Sequence, residues 1–235
     1  MCTVTYLPLK DNNFILTSNR DETPLRKATY PKTYLENGIE LTYPKDKLSG
    51  GTWIGTSNKN RLVCLLNGAF TNHSRNKYYK MSRGIIVKNI LSTKDAVGFI
   101  NEFDFIEIEP FTLILVDYLG QLETYELVWD GTQKHFKKLV QEPKIWSSST
   151  LYSDKMKGLR NGWFANWLAE NEDFKQDKII QFHQNENLGN AEISPKMKRA
   201  FTETVSTTSI KKENKKIVIT YFDYLKDVVK ILQTK

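Results

Sequence analysis

The stretch CTVTYLPLKDNNFILTSNRDE, residues 2–22, decides the fold. Residues 2–8 and 13–18 are rich in β-branched and apolar side chains, and Lys10-Asp11-Asn12 between them is turn chemistry. The chain is therefore predicted to open with a β-hairpin. If positions 8 and 13 face each other, opposed residue numbers sum to about 21, which sets Cys2 opposite Asn19, with Arg20 and Asp21 just beyond. Cross-strand Cβ atoms lie roughly 5 Å apart. One sheet end would then gather a thiol, an amide, a guanidinium and a carboxylate.

Outward from this hairpin, residues 19–51 read as a loop broken by Pro24, Pro31, Gly38 and Pro44. TWIGTS (52–57) and RLVCLLN (61–67) flank Asn58-Lys59-Asn60 as a second hairpin. A helix is predicted from Ser82, with Ile85, Ile86, Ile90 and Leu91 at helical spacing, and another capped by Thr93 that carries Ala96, Val97 and Ile100 on one face. Strands follow at 111–118 and 122–129, joined at Leu119-Gly120, and at 134–141 after Asp130-Gly131. Helices are predicted over 154–170, capped by Asp154, and 177–184, then strands near 201–210 and 217–224. Strands, helices, strands, helices, strands, mostly joined as hairpins, give an α+β class with antiparallel sheets. The consecutive apolar residues Leu113-Ile114-Leu115-Val116 suit a sheet covered on both faces. Two architectures fit: two packed sheets with a helical layer outside each, or one sheet with helices on one side. No repeat or linker interrupts residues 1–235, which are expected to form a single domain.

Hydrophobic residues make up 40% of the 235 residues, enough for a sizeable core, and no apolar run is long enough to span a membrane. The N-terminus lacks the basic start and continuous apolar stretch of a signal peptide. The expected location is cytoplasmic, with Cys2 and Cys64 as thiols and Cys64 buried as a small hydrophobe. The net charge of +7 is spread among acids, and its densest run, residues 211–216, reads as a solvated hairpin turn. No nucleic-acid-binding motif accompanies it, so no nucleic-acid partner is expected. His73, His135 and His183 lack metal-ligand spacing, and no metal is expected. Gly50-Gly51 before Trp53 admits positive φ and close approach of a ligand, or simply a turn that leaves Trp53 in the core.

Removal of Met1 would give Cys2 an α-amine whose ordinary pKa, ~7.7–8.0, leaves a useful neutral fraction at physiological pH. That amine can take the proton of its own thiol, as in N-terminal Thr nucleophiles. A neighbouring Arg favours thiolate, and a carboxylate such as Asp21 can hold the amine. The set suits attack on an amide or thioester carbonyl. The alternative use of Arg20 and Asp21 is an ion pair that closes the loop after residue 19.

Met1-Cys2 with Asn19-Arg20-Asp21-Glu22 resembles the NRDE family, the family of transport and Golgi organisation protein 2. Gly50-Gly51-Thr52-Trp53-Ile54-Gly55, the strand ending at Asn67, Ser82-Arg83-Gly84 and Phe111 to Val116 look like further parts of the family pattern, and weaker motifs continue to the C-terminal strands. The family is similar in its N-terminal layout to the cysteine branch of the N-terminal-nucleophile hydrolases, which cleave penicillin V and bile-salt amides. The resemblance implies the four-layer αββα sandwich of two mainly antiparallel sheets. It also implies Cys2 as nucleophile, Asn19, Arg20 and Asp21 as its partners, and Asn67 as an oxyanion donor, a role worth about 3–4 kcal/mol of barrier. Glu22, Trp53 and Ser148 are candidate substrate contacts. Two positions depart from the family pattern: Ser148 stands where an Asn is often found, and Val205 where an Arg often precedes the late Ser. Two functions follow. One is a cofactor-free hydrolase of C–N amide bonds, or an acyl transferase, taking a small acyl substrate. The other is a non-catalytic protein that binds or moves haem or an acyl lipid.

Overall fold

Two separate antiparallel sheets, rather than one, organise the chain. The computed structural model of the protein describes residues 3–234. They divide into two compact units: residues up to Arg26 together with those from Glu142 onward, and Lys27–Gln141 between.

The first unit carries the opening hairpin, β1 (Thr3–Pro8) and β2 (Phe14–Glu22), with β10 (Lys144–Ser147), β11 (Glu203–Glu213), β12 (Lys216–Asp223) and β13 (Val228–Thr234). Its sheet has the order β10-β1-β2-β11-β12-β13. Helices α3 (Asp154–Glu170) and α4 (Gln176–His183) supply Phe164, Ile179 and Phe182 to a core with Leu7 of β1 and Ile15 of β2. Arg160, Phe164 and Trp167 recur at helical spacing on α3, as do Ile179, Phe182 and His183 on α4, so each helix turns one stripe inward.

The second unit is a seven-stranded sheet in sequential order: β3 (Lys32–Glu36), β4 (Ile39–Tyr43), β5 (Ile54–Ser57), β6 (Arg61–Asn67), β7 (Phe111–Asp117), β8 (Glu123–Trp129) and β9 (Lys134–Leu139). Helices α1 (Arg83–Ser92) and α2 (Ala96–Glu102) bury Ile86, Val87, Ile90, Leu91 and Ile100 against Val63, Leu65, Leu113 and Leu115. Their neighbours Leu62, Cys64, Ile114 and Val116 point to the other face and are buried too. That two-sided burial is what the unbroken apolar run at 113–116 requires.

The expected α+β class and antiparallel sheets are present; several details differ. No loop begins at Asn19, because β2 continues to Glu22 and pairs with β11 along that length. The segment beyond contains a hairpin, β3–β4, turning at Asn37-Gly38 with φ of +51° and +78°, the backbone that a two-residue hairpin loop needs. Asp95, not Thr93, caps α2, while Thr93 closes α1. Ser153, not Asp154, caps α3 by accepting from the Met156 N–H. The basic run at 211–216 does form the β11–β12 turn, with Asn214 at φ +56°.

The opening hairpin is paired one step out of the expected register. Thr3 faces Asn19 and Pro8 faces Phe14. The turn therefore holds five residues, 9–13, closed by Leu9 N–H donating to the Asn13 carbonyl at 2.8 Å. A one-residue slip exchanges partners all along a hairpin, so Asn19 is the partner of Thr3 rather than of Cys2.

Gly50 does have positive φ, +70°, but what approaches Gly51 is a second backbone rather than a ligand. A Cβ on Gly51 would lie 2.6 Å from the carbonyl carbon of Gly84, and one on Gly84 would lie 2.9 Å from the Thr52 nitrogen. The Thr52 N–H donates to the Gly84 carbonyl at 3.2 Å across this crossing. Backbone cannot yield as a flexible side chain can. Gly84→Ala is expected to cost about 1–3 kcal/mol, the range of overpacking. Urea unfolding monitored by tryptophan fluorescence checks this; an unchanged midpoint would refute it.

Candidate active site

Alternation along β1 and β2 grades the helix-covered face of the first sheet from apolar to polar. At the turn end it presents Leu7 and Ile15; toward the chain's start it presents Thr3, Thr5, Thr17, Asn19 and Asp21. All five polar residues are buried, so each needs partners. Asn19 fills its hydrogen-bonding capacity. Its Nδ2 donates to the carbonyls of His183 (2.9 Å) and Pro195 (2.8 Å). Its Oδ1 accepts from Thr207 Oγ1 at 2.7 Å and lies 3.1 Å from His183 Nδ1. That acceptor makes Nδ1 the protonated nitrogen of His183, leaving Nε2 to accept from Thr5 Oγ1 at 2.8 Å.

Asp21 is held by two hydroxyls. Thr204 Oγ1 donates to Oδ1 at 2.6 Å and Tyr152 O–H donates to Oδ2 at 3.1 Å. The ring of Tyr152 in turn lies 4.2 Å from the guanidinium carbon of Arg160 and 5.4 Å from that of Arg199. Two cations over the ring polarise the phenol and strengthen its donation. Thr204 precedes an irregularity in the β2–β11 pairing, where register shifts between Thr204 and Ser206. The displaced residue is Val205, whose carbonyl accepts from the Tyr224 N–H.

Arg20 does not share this face. Consecutive strand residues alternate, so Arg20 points away from Asn19 and Asp21, and its Nη1 donates to the Arg26 carbonyl at 3.0 Å. Asn19, Arg20 and Asp21 lie together at one sheet end but are split between its two faces, because β2 stays extended through all three. Glu22 accepts from the Thr23 N–H and pairs with Arg26 at 3.2 Å, a local closure of the chain. Ser148 is buried, 2.8 Å from Thr150 Oγ1. Asn67 and Trp53 belong to the second unit: Asn67 ends β6 opposite Phe111, and the Trp53 carbonyl accepts from Leu65 N–H at 2.8 Å. Cys2 lies outside the described residues, and the expectations placed on it rest on sequence.

Arg160, His183, Tyr152, Thr204 and Thr207 have no counterpart among the residues expected from sequence. A signal exists for two of them. Arg160 stands four residues before Phe164, and His183 four after Ile179, so each interrupts an inward apolar stripe. His183 is fully buried, and desolvation with the charge of Arg160 pushes its pKa down to about 3. Among the described residues no group of His, Cys, Asp and Glu could hold a metal ion, and no helix is long and apolar enough to cross a membrane.

The transport and Golgi organisation 2 family model matches residues 1–227. The chain belongs to that family. No curated protein matches it in sequence. In three dimensions it is similar to penicillin V acylase from Agrobacterium tumefaciens, with a TM-score of 0.60 and 12% identity over 99% of this chain and 86% of that one. A variant of conjugated bile acid hydrolase from Clostridium perfringens gives 0.59 and 9%, over 98% and 92% of the two chains. The Caenorhabditis elegans orthologue of N-acylethanolamine-hydrolyzing acid amidase gives 0.60 and 14%, over 89% and 92%. This family member thus has the fold of the N-terminal-nucleophile hydrolases, the α+β sandwich class that the family resemblance implies.

Because folding suppresses protonation of His183, the unfolded chain binds an extra proton between the ordinary histidine pKa of 6.5 and about 3. Stability from this group is complete above pH ~6.5 and is lost as pH falls toward 3, with a ceiling of ~5 kcal/mol. Urea midpoints measured from pH 7 to 4 are expected to drop more steeply for the wild type than for His183→Gln; parallel curves would refute the assignment.

Proposed function

We propose that this protein is a cysteine N-terminal-nucleophile amidohydrolase or acyl transferase that takes a small acyl amide or thioester. The observation that carries the reading is the anchoring of Asp21 by Tyr152 and Thr204, and of Asn19 by His183, Pro195 and Thr207, around the start of the strand that follows Cys2. Many buried hydrogen bonds are committed to fixing a few residues at one end of a hairpin. That rigidity is of use where a reacting group must be held to a fraction of an ångström. The names of the three structural relatives, an acylase, a bile acid hydrolase and an acid amidase, support the same bond class.

In this reading Met1 is removed and the Cys2 thiol passes its proton to the new α-amine. The sulfur attacks the acyl carbonyl carbon, the C–N or C–S bond breaks, and the proton leaves with the amine or thiol. Water, or an acceptor amine, then takes the acyl group from the Cys2 thioester. Asp21, whose two oxygens are already oriented, is the group that holds the amine. Arg20, one residue past the partner of Thr3, is the candidate source of positive charge for the thiolate. The expected compartment is the cytoplasm, where the thiol stays reduced.

The test is intact-mass spectrometry of the wild type and Cys2→Ala after incubation with acyl p-nitroanilides and acyl-coenzyme A thioesters of increasing chain length. Loss of Met1, with a thioester adduct or released acid that disappears in Cys2→Ala, is expected. No adduct and no release across the series would overturn the reading. Acyl lipid or haem retained in native spectra of that inert protein would put a binding role in its place.

A further inference from the structure

One side chain at the start of β1 is unlike the rest. Arg160 of α3 is only 1% exposed, yet every acceptor it meets among the described residues is a neutral oxygen. Nε donates to Ser147 Oγ of β10 at 2.9 Å, Nη1 to the carbonyls of Ile193 and Ser194 (3.0 Å to the latter), and Nη2 to Thr3 Oγ1. A guanidinium cannot shed its proton in a protein, so the burial cost cannot be avoided by neutralisation. Four of its five N–H donors end on neutral oxygens, which leaves its charge uncompensated. Charged and titratable groups approach it from three sides: His183 of α4, Arg199 across the Tyr152 ring, and Asp21 of β2 behind the Tyr152 hydroxyl. The only anion of the set is separated from it by that ring.

We propose that Arg160 is the positioning residue of the N-terminal nucleophile, an inference that rests on the reading of Cys2 given above. It ties Thr3, the residue bonded to Cys2, to β10 and to the 193–194 backbone. Its unneutralised charge also favours the deprotonated forms of the thiol and the α-amine at the chain's start. The same charge already helps to keep His183 neutral. One Cα step of ~3.8 Å separates Thr3 from residue 2, so the charge acts at a range of several ångströms through protein. At an effective dielectric constant near 20, a charge ~10 Å away shifts a pKa by about one unit. A neutral amine is the form that accepts the thiol proton, and a lowered thiol pKa raises the nucleophilic fraction at pH 7. One buried cation therefore serves both partners of the proton transfer.

The experiment is the pH profile of Cys2 alkylation by brief iodoacetamide pulses, read by peptide mass, in the wild type, Arg160→Gln and Arg160→Lys. Buried Cys64 reports on folding in the same spectra, since it reacts only where the chain opens. The wild-type inflection is expected about one unit below the ordinary thiol value of ~8.5. Arg160→Gln should raise it by about one unit with Cys64 still protected, and Arg160→Lys, which keeps the charge, should restore most of the shift. A wild-type inflection at or above the ordinary value overturns the proposal even if Arg160→Gln does not fold. So does an Arg160→Gln profile that matches the wild type, or an Arg160→Lys profile that matches Arg160→Gln. Absence of acyl transfer in the preceding test would sink the enzyme reading while leaving this titration intact, and an unmoved titration sinks only the role of Arg160.

Discussion

The first sheet depends on one constraint: polar side chains on the covered face of β1, β2 and β11 must all find partners away from water. Thr3, Thr5, Thr17, Asn19, Asp21, Thr204, Thr207 and Ser209 are buried there. An unpaired buried polar group costs about 1–3 kcal/mol, so a handful left unsatisfied would consume the stability of an ordinary domain. Thr17 and Ser209 bond each other at 2.8 Å, and Thr207 serves Asn19 while also meeting the Tyr224 hydroxyl at 2.7 Å. The rest is supplied from the helices and the loop before α3: Arg160 reaches Thr3, His183 reaches Thr5 and Asn19, and Tyr152 reaches Asp21.

This polar layer also explains why the helices sit where they do. At the turn end of the hairpin, Leu7 and Ile15 meet Phe164, Ile179 and Phe182 in an ordinary apolar contact. At the other end the same two helices offer Arg160 and His183. Each helix therefore carries an apolar and a polar segment along one stripe, matched to the same gradient along the strands. A slip of two strand residues, which keeps every side chain on its face, would set threonines against phenylalanines, so the gradient fixes register where face alternation alone would not. The second unit has no such layer: its helices meet Val63, Leu65, Leu113 and Leu115, and its packing is that of a conventional apolar core.

The proposed chemistry and the stability of the first unit share residues. His183 is kept neutral by burial and by Arg160, and it completes the hydrogen bonds of Asn19. Any proton that reached it would land on Nε2 and remove the acceptor that Thr5 of β1 donates to. The end of the molecule assigned a reactive thiol is also the end whose hydrogen bonds respond to acid.

The sequence by itself determined the hairpin at the start, the two helical segments between strand runs and the antiparallel α+β class, because period-two and helical spacings are local properties of the chain. It also made the NRDE tetrapeptide visible. It did not determine the β1–β2 register, since LPLKDNN admits turns that differ by one residue; pairing of β2 with β11, nearly two hundred residues away, fixes which is formed. Nor did it separate Arg20 from Asp21, because continuing β2 to Glu22 depends on that distant partner. Arg160 and His183 were legible only as breaks in apolar stripes. What they touch was decided by the tertiary structure, which brings residues 157 and 164 positions from their partners into hydrogen-bond range of Thr3 and Asn19.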